Sequence, residues 1–520
     1  MSRNSALAGS TLGHLSGLGV QHFVVCAGAR NAPLVTSLLS TSEKKGFRIW
    51  HYFDERTAAF FALGLARSRQ EPVAVLTTSG TAAAELLPAA IEGYYAGVPL
   101  ILVTADRPEW YRGSGAPQAI EQKGLYGVYT PVSIDVQSTR DLSWVTKWDR
   151  KAPLHLNICL EEPDPADRVS KFKTVVVPEP KEMSHEAAGS QVAEFLSGRQ
   201  RTIALLGALP ESWQEPVEQF LADLGVPVWA ESTSGLRESE ALKGQLIRQE
   251  SEINGLNPDC ILRIGGVPSL RFWRDLETQR GIDVMSVVTR PFSGLARDSD
   301  WVVCEKFPEG VSTVQEGRID RATLSDAKDL EVLLDALPKS EPAMVRSLAE
   351  VIPGDAMVFL GNSLPIREWN LVAPHEPAHP RCFANRGANG IDGEVATFLG
   401  MSQGEEEAWG IFGDLTALYD LNAPGMISQL QQGRRRIVVL NNGGGRIFSR
   451  LPSLSGLSKE DKKVTENHHR QRFESWAAMW GLGYAIWRPG KPAPEISGDT
   501  VLIEILLETV PTELFWKELK

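Results

Sequence analysis

At 520 residues the chain exceeds what one hydrophobic core supports, so about three domains are expected. Its 42% hydrophobic and 23% charged content is ordinary for a globular protein, and a net charge of −12 argues against a nucleic-acid surface. No stretch approaches the roughly 18–20 apolar residues of a membrane span, and five dispersed cysteines (Cys26, Cys159, Cys260, Cys304, Cys382), with no metal-ligand spacing, suit a reducing, cytoplasmic setting.

Leu12, Leu15 and Leu18 recur at near-helical spacing, while Gly9, Gly13 and Gly17 break any signal-peptide core, so the chain opens with an amphipathic helix. Apolar runs, small-residue turns and helical patterns then alternate, as in parallel α/β sheets. Strands are expected over residues 22–26, 48–52, 73–77, 100–104 and 154–160, with helices over 32–40, 55–67 and 81–95. Residues 177–180 and 339–342 read as linkers. Between them the pattern repeats, with strands at 202–206, 226–230, 259–264 and 283–288. The last region offers strands at 357–360, 382–385, 408–412 and 437–441, and helices at 366–372, 393–402, 415–431 and 472–480. Residues 459–472 read as a charged loop, with His468 and His469 on its solvated surface. The result is an α/β protein of three doubly wound parallel-sheet domains, over residues 1–175, 181–338 and 343–520.

The most specific local signal is Gly413-Asp414-Leu415, followed after twenty-five residues by Asn441-Asn442 and three glycines. Each half ends an expected strand, where open parallel sheets gather ligands. Asp414 can offer a carboxylate oxygen, Asn442 an amide oxygen and Gly444 a backbone carbonyl, the hard donors that Mg²⁺ takes beside phosphates and water. Gly413 allows close approach of a phosphate, and a helix opening at Leu415 would point N–H groups at it. Singly, each turn is an ordinary cap; their spacing makes the pair informative.

This pairing resembles the motif of thiamine-diphosphate enzymes, Gly-Asp-Gly and then Asn-Asn, with Leu415 in place of the third-position Gly. The resemblance implies the thiamine-diphosphate-binding fold, in which 1–175 is the pyrimidine-binding domain, 181–338 a central Rossmann-like domain and 343–520 the diphosphate-binding domain. It also implies a carboxylate that exchanges a proton with the aminopyrimidine ring, a task suited to a desolvated acid. Glu55 is the candidate: it opens the helix after residues 48–52, and Asp54 is the better cap, leaving Glu55 free. Pyrimidine and diphosphate domains in such enzymes come from different subunits, implying a homodimer or homotetramer with active sites between subunits.

Further stretches resemble one family, the 2-succinyl-5-enolpyruvyl-6-hydroxy-3-cyclohexene-1-carboxylate synthases of menaquinone biosynthesis. They are Phe53-Asp54-Glu55-Arg56, Thr78-Ser79-Gly80-Thr81-Ala82, Thr104-Ala105-Asp106-Arg107-Pro108, Gln118-Ala119-Ile120, Gly361-Asn362-Ser363-Leu364-Pro365, residues 385–393, 413–422 and 441–452. The likeness implies a transferase that decarboxylates 2-oxoglutarate on thiamine diphosphate, with Mg²⁺ or Mn²⁺, and adds the succinyl carbanion equivalent to isochorismate. Both substrates are small dicarboxylates, so Arg is the expected anion binder. By motif position these are Arg30, Arg107, Arg367 and Arg386, with Arg271 from the central region. The likeness makes Glu55, Gln118, Ser363 and Arg386 catalytic. It places Glu55, Ile391, Gly413, Leu415, Ile447 and Phe448 on the cofactor, and Asp414, Asn442 and Gly444 on the metal. The turn Ala27-Gly28-Ala29-Arg30-Asn31 departs from the family's Pro-Gly-Ser-Arg-Ser, and Arg446 stands where Gln is common. Another thiamine-diphosphate decarboxylase or carboligase, such as an acetolactate synthase, and a non-catalytic nucleotide-binding α/β protein are the alternative readings.

Overall fold

The computed structural model describes residues 2–180, 188–309, 311, 328–454 and 456–519; the expected domain limits at 1, 181 and 520 lie outside these described residues. Among the described residues the strands form three sheets, all parallel. The first contains β1 (His22–Val25), β2 (Arg48–His51), β3 (Val73–Thr77), β4 (Leu100–Asp106), β5 (Val132–Val136) and β6 (Leu154–Cys159), in the order β2-β1-β3-β4-β6-β5. The second contains β7 (Thr202–Leu206), β8 (Val228–Ala230), β9 (Cys260–Ile264), β10 (Asp283–Val288) and β11 (Asp300–Val303), ordered β11-β10-β9-β7-β8. The third contains β12 (Met357–Leu360), β13 (Cys382–Phe383), β14 (Glu407–Gly413), β15 (Arg434–Asn441), β16 (Gly483–Trp487) and β17 (Thr500–Leu506). Its order, β13-β12-β14-β15-β17-β16, repeats that of the first.

Helices cover both faces of such sheets, so the central strands read as unbroken apolar runs; β3 and β4 are buried at every residue. The strands that sequence patterning omits differ in kind. β5, β11 and β16 are edge strands with partly exposed residues: β5 alternates apolar and polar positions, while β11 and β16 carry only short apolar runs. β17 lies inside its sheet, but Glu504 interrupts its pattern; the carboxylate is buried and takes bonds from Arg472, Asn441 and Tyr484. The expected helix over 81–95 is two helices, Thr81–Ala84 and Leu87–Ala96, with Pro88 in the first turn of the second. That over 415–431 is Asp414–Tyr419 and a 3-10 turn, Ala423–Gln429, entered by Pro424. The expected loop at 459–472 instead holds a helix, Lys459–Thr465, because Ser458 and Asp461 form a capping box. Residues 339–342 are not a linker: Ser340 caps the helix Glu341–Val351 and is fully buried.

In the second sheet the strand order reverses between β7 and β9, where α/β proteins place nucleotides. Here the two loops close on each other. Gly266 N–H donates to the Ala208 carbonyl at 2.9 Å, and a methyl on Gly207 would lie 2.2 Å from the Gly266 carbonyl oxygen.

The chain forms two compact units: Met1–Lys181 with Gly387–Gly404 and Thr416–Gln432, and Glu182–Arg386 with Glu405–Leu415 and Gly433–Lys520. Within the first, the helix Glu394–Met401 packs along the helix Glu55–Arg69 at small residues. An added methyl on Gly64 would sit 2.1 Å from the Thr397 carbonyl oxygen, and one on Gly400 2.2 Å from that of Phe61. Gly64→Ala gains about 1 kcal/mol of helix propensity but overpacks two backbones, a cost of about 1–3 kcal/mol. It should therefore lower the urea midpoint. The control Gly255→Ala, whose methyl meets nothing within 4 Å, should not.

Candidate active site

β14 and β15 are neighbours in register, Gly413 opposite Leu440, so their C-terminal tips bring Asp414 beside the turn Asn442-Gly443-Gly444. Asp414 Oδ2 accepts the backbone N–H groups of all three turn residues, at 3.1, 2.7 and 3.1 Å. Converging three amides on one oxygen needs a backbone few residues adopt. Gly443 has φ +78° and Gly444 φ +140°, and a methyl on Gly444 would strike the Glu466 carbonyl at 2.5 Å. Asn442 Nδ2 donates to Glu341 at 2.9 Å, while its Oδ1 is buried and has no hydrogen-bond partner. A methyl on Gly413 would meet nothing within 4 Å, so open space lies over that strand tip. Helix Asp414–Tyr419 begins there, one residue earlier than expected. Leu415 and Ile447 are partly buried and Phe448 is exposed.

At the tip of β12, the strand next to β14, Ser363 holds φ +73°, a left-handed backbone that a serine adopts only under constraint. Its carbonyl accepts from Arg367 at 2.6 Å. Arg386 Nη1 donates to Asn362 Oδ1 at 2.9 Å, and Asn362 Nδ2 to the Asn385 carbonyl. The Nε and Nη2 of Arg386 are buried without partners. Unsatisfied guanidinium donors next to an ordered loop are suited to a carboxylate. Arg271 is exposed and faces Asp275 at 3.7 Å. Three residues on in the same helix, Arg274 is the central-sheet cation whose charge reaches Arg367.

In the first unit the strand order reverses between β1 and β3. Gly28 after β1 abuts Thr78 after β3, where a methyl would meet the Thr78 Cβ at 2.5 Å. Asn31 spans the departed turn: its Oδ1 accepts from Gly28 N–H and its Nδ2 donates to the Cys26 carbonyl. Arg30 is buried, donating to the Glu161 carbonyl at 2.7 Å and pairing with Glu162 at 2.9 Å. Arg107 donates to Ser79 Oγ and to the Gln118 carbonyl, so these three converge. Gln118 has φ +58° and packs on Gly80. Asp54 caps the helix Glu55–Arg69 through Thr57 and takes a bond from Asn422. Burial raises the Glu55 pKa, and the charges of Asp54 and Glu85 add to that. Ile391 is partly exposed. Among the described residues the one group of three metal-type donors is Asp106, Asp135 and Cys159, and Arg112 Nη2 lies within 3.4 Å of each, so a guanidinium already supplies the cation.

Residues 8–125 match the family model for the thiamine pyrophosphate enzyme N-terminal TPP-binding domain. The chain is 39% identical to the 2-succinyl-5-enolpyruvyl-6-hydroxy-3-cyclohexene-1-carboxylate synthase of Bdellovibrio bacteriovorus, over 99% of this chain and 98% of that one. It belongs to this synthase family. The synthase of Akkermansia muciniphila is 40% identical over 95% of this chain and 93% of its own, and that of Geobacillus thermodenitrificans 35% over 84% and 81%. Synthase membership makes the protein a thiamine-diphosphate enzyme that uses a divalent ion. The orphaned Asn442 oxygen, the Asp414 carboxylate and the open face over Gly413 fit that pair of ligands.

For a synthase of this family, three elements of the site escape sequence reasoning. Glu341 sits in a stretch that reads as a linker, yet it is buried and holds Asn442. Glu368, within the helix Leu364–Val372, is fully buried with both carboxyl oxygens unpartnered. Burial, then the neighbouring Glu341, pushes its pKa well above the usual carboxylate range. His468 and His469 are not a solvated pair. His468 joins Glu466 and Arg446, which the same carboxylate neutralises, and His469 is nearly buried beside Asp414. A raised folded-state pKa makes the contribution of Glu368 full below the unfolded value and lost as pH rises toward the folded one. Melting temperatures of wild type and Glu368→Gln should therefore diverge between pH 5 and pH 8, the variant gaining relative stability at the alkaline end.

Proposed function

We propose that the protein decarboxylates 2-oxoglutarate and adds the resulting four-carbon acyl-anion equivalent to isochorismate, giving 2-succinyl-5-enolpyruvyl-6-hydroxy-3-cyclohexene-1-carboxylate and CO₂. One observation carries the reading. In the same unit as the Asp414–Asn442 turn, Arg386 presents two buried, unpaired N–H donors at the tips of the third sheet, a receptor for a carboxylate. Family membership supports reading them as the carboxylates of 2-oxoglutarate and isochorismate.

Thiamine diphosphate, when bound, supplies the acyl-anion chemistry. Asp414, Asn442 and Gly444 hold the Mg²⁺ or Mn²⁺ ion, and Gly413, Leu415, Ile447 and Phe448 line the diphosphate end. Glu55 would exchange a proton with the aminopyrimidine ring, a role its raised pKa supports, and Ile391 would prop the cofactor. Arg30, Arg107, Arg271, Arg367 and Arg386 divide the substrate carboxylates, with Gln118 and Ser363 donating hydrogen bonds. Arg30 is already paired with Glu162 and would exchange that exposed partner for substrate. The working form is a cytoplasmic homodimer or homotetramer with active sites between subunits.

Product formation from 2-oxoglutarate and isochorismate should require both thiamine diphosphate and Mg²⁺. CO₂ release should accelerate when isochorismate is present, which separates this reaction from simple decarboxylation. Glu55→Gln should lower kcat by roughly 100-fold or more while the cofactor dissociation constant changes little. Undiminished turnover by that variant would overturn the role of Glu55; product formed equally well from pyruvate would overturn the substrate assignment.

A further inference from the structure

The turn after β15 is closed over by residues 466–469. Gly445 N–H donates to the Glu466 carbonyl at 2.6 Å, and His469 N–H to the Gly443 carbonyl at 3.2 Å. Glu466 braces this segment by binding Arg446 at 2.9 Å and His468 at 2.6 Å. The His469 ring therefore lies inside, with 11% of its side chain exposed.

Its two nitrogens differ. Nδ1 accepts the Gln471 backbone N–H at 3.1 Å, so the neutral ring carries its proton on Nε2. Nε2 is buried, makes no hydrogen bond, and lies 3.3 Å from Asp414 Oδ2. That oxygen is already engaged by three backbone amides and has no lone pair left. A buried N–H thus stands beside the metal-binding carboxylate with no acceptor, an arrangement that is costly unless a ligand completes it.

We infer that His469 is a cofactor-binding residue whose Nε2–H donates to an oxygen of the diphosphate held at Asp414 and Asn442. The inference rests on the assignment of the metal site above. Direct ligation of the ion by Nε2 is the competing chemistry, and two facts oppose it. Mg²⁺ selects oxygen donors, and freeing the Nε2 lone pair would put a proton on Nδ1, facing the Gln471 N–H it now accepts.

The test is titration of full-length apoprotein with thiamine diphosphate at saturating Mg²⁺, followed by tryptophan fluorescence, with melting curves of each apoprotein alongside. His469→Ala should raise the cofactor dissociation constant roughly tenfold and leave the apoprotein melting temperature unchanged. His469→Gln, which keeps an N–H, should recover most of the affinity. An unchanged constant in His469→Ala overturns the inference, as does equal weakness of the Ala and Gln variants with a lowered apoprotein melting temperature. If the Ala variant does not fold, the Gln and Met variants give the same comparison at similar size. With Co²⁺ in place of Mg²⁺, the visible spectrum should be the same in wild type and variant; a shifted spectrum identifies a metal ligand and overturns the donor role. Failure of the wild type itself to bind thiamine diphosphate would instead overturn the metal-site assignment.

Discussion

The convergence of three consecutive backbone amides on one oxygen of Asp414 is the constraint on which the rest of the site depends. It locks the tip of β14 to the turn leaving β15, and so fixes where the free oxygen of Asn442 stands. Only a glycine pair supplies the backbone it requires, because Gly443 and Gly444 both lie at positive φ and one is walled in by the segment that follows. The Asn442 side chain is set from behind by Glu341, whose own helix is anchored by a buried serine cap. Preorganisation of this kind leaves the ion little to rearrange on arrival.

The anion-binding residues follow the opposite logic. Arg386 and Arg274 repel Arg367, which Glu231 and Glu250 partly offset, and the Nε and Nη2 of Arg386 are left without partners. Each such buried donor costs about 1–3 kcal/mol in the ligand-free protein, and Ser363 and Gln118 add backbone strain of about 1–3 kcal/mol each. The fold can carry such costs because the central strands of its parallel sheets are buried. Stability is spent where substrate charge will be met.

Much of this was legible in the sequence, for identifiable reasons. Buried parallel strands announce themselves as apolar runs, so β3, β7, β10 and β12 have the expected limits. The motif spacing places Asp414 and Asn442 on neighbouring strands because consecutive units of such a sheet usually lie side by side. What sequence did not reveal is mostly long-range. The contact of Glu341 with Asn442 spans 101 residues, and that of His469 with Asp414 joins a charged stretch to a distant strand tip. Glu368 carried no signal at all, since a lone carboxylate in a helix reads as solvated until its surroundings are known. One cue was available: Ser458 with Asp461 three positions later is a capping box, and it argues for a helix where charge density suggested a loop.

The first compact unit is assembled from three separate stretches of chain, the last ending at Gln432. Residues 57–66 of its long helix are buried, partly under a helix that begins only at Glu394. During synthesis that face leaves the ribosome more than three hundred residues before its cover exists. At the usual pace of translation it waits unclothed for tens of seconds. An amino-terminal fragment expressed alone would keep that greasy stripe bare for good, and clumping or chaperone capture, rather than a tidy half-enzyme, is the outcome to expect.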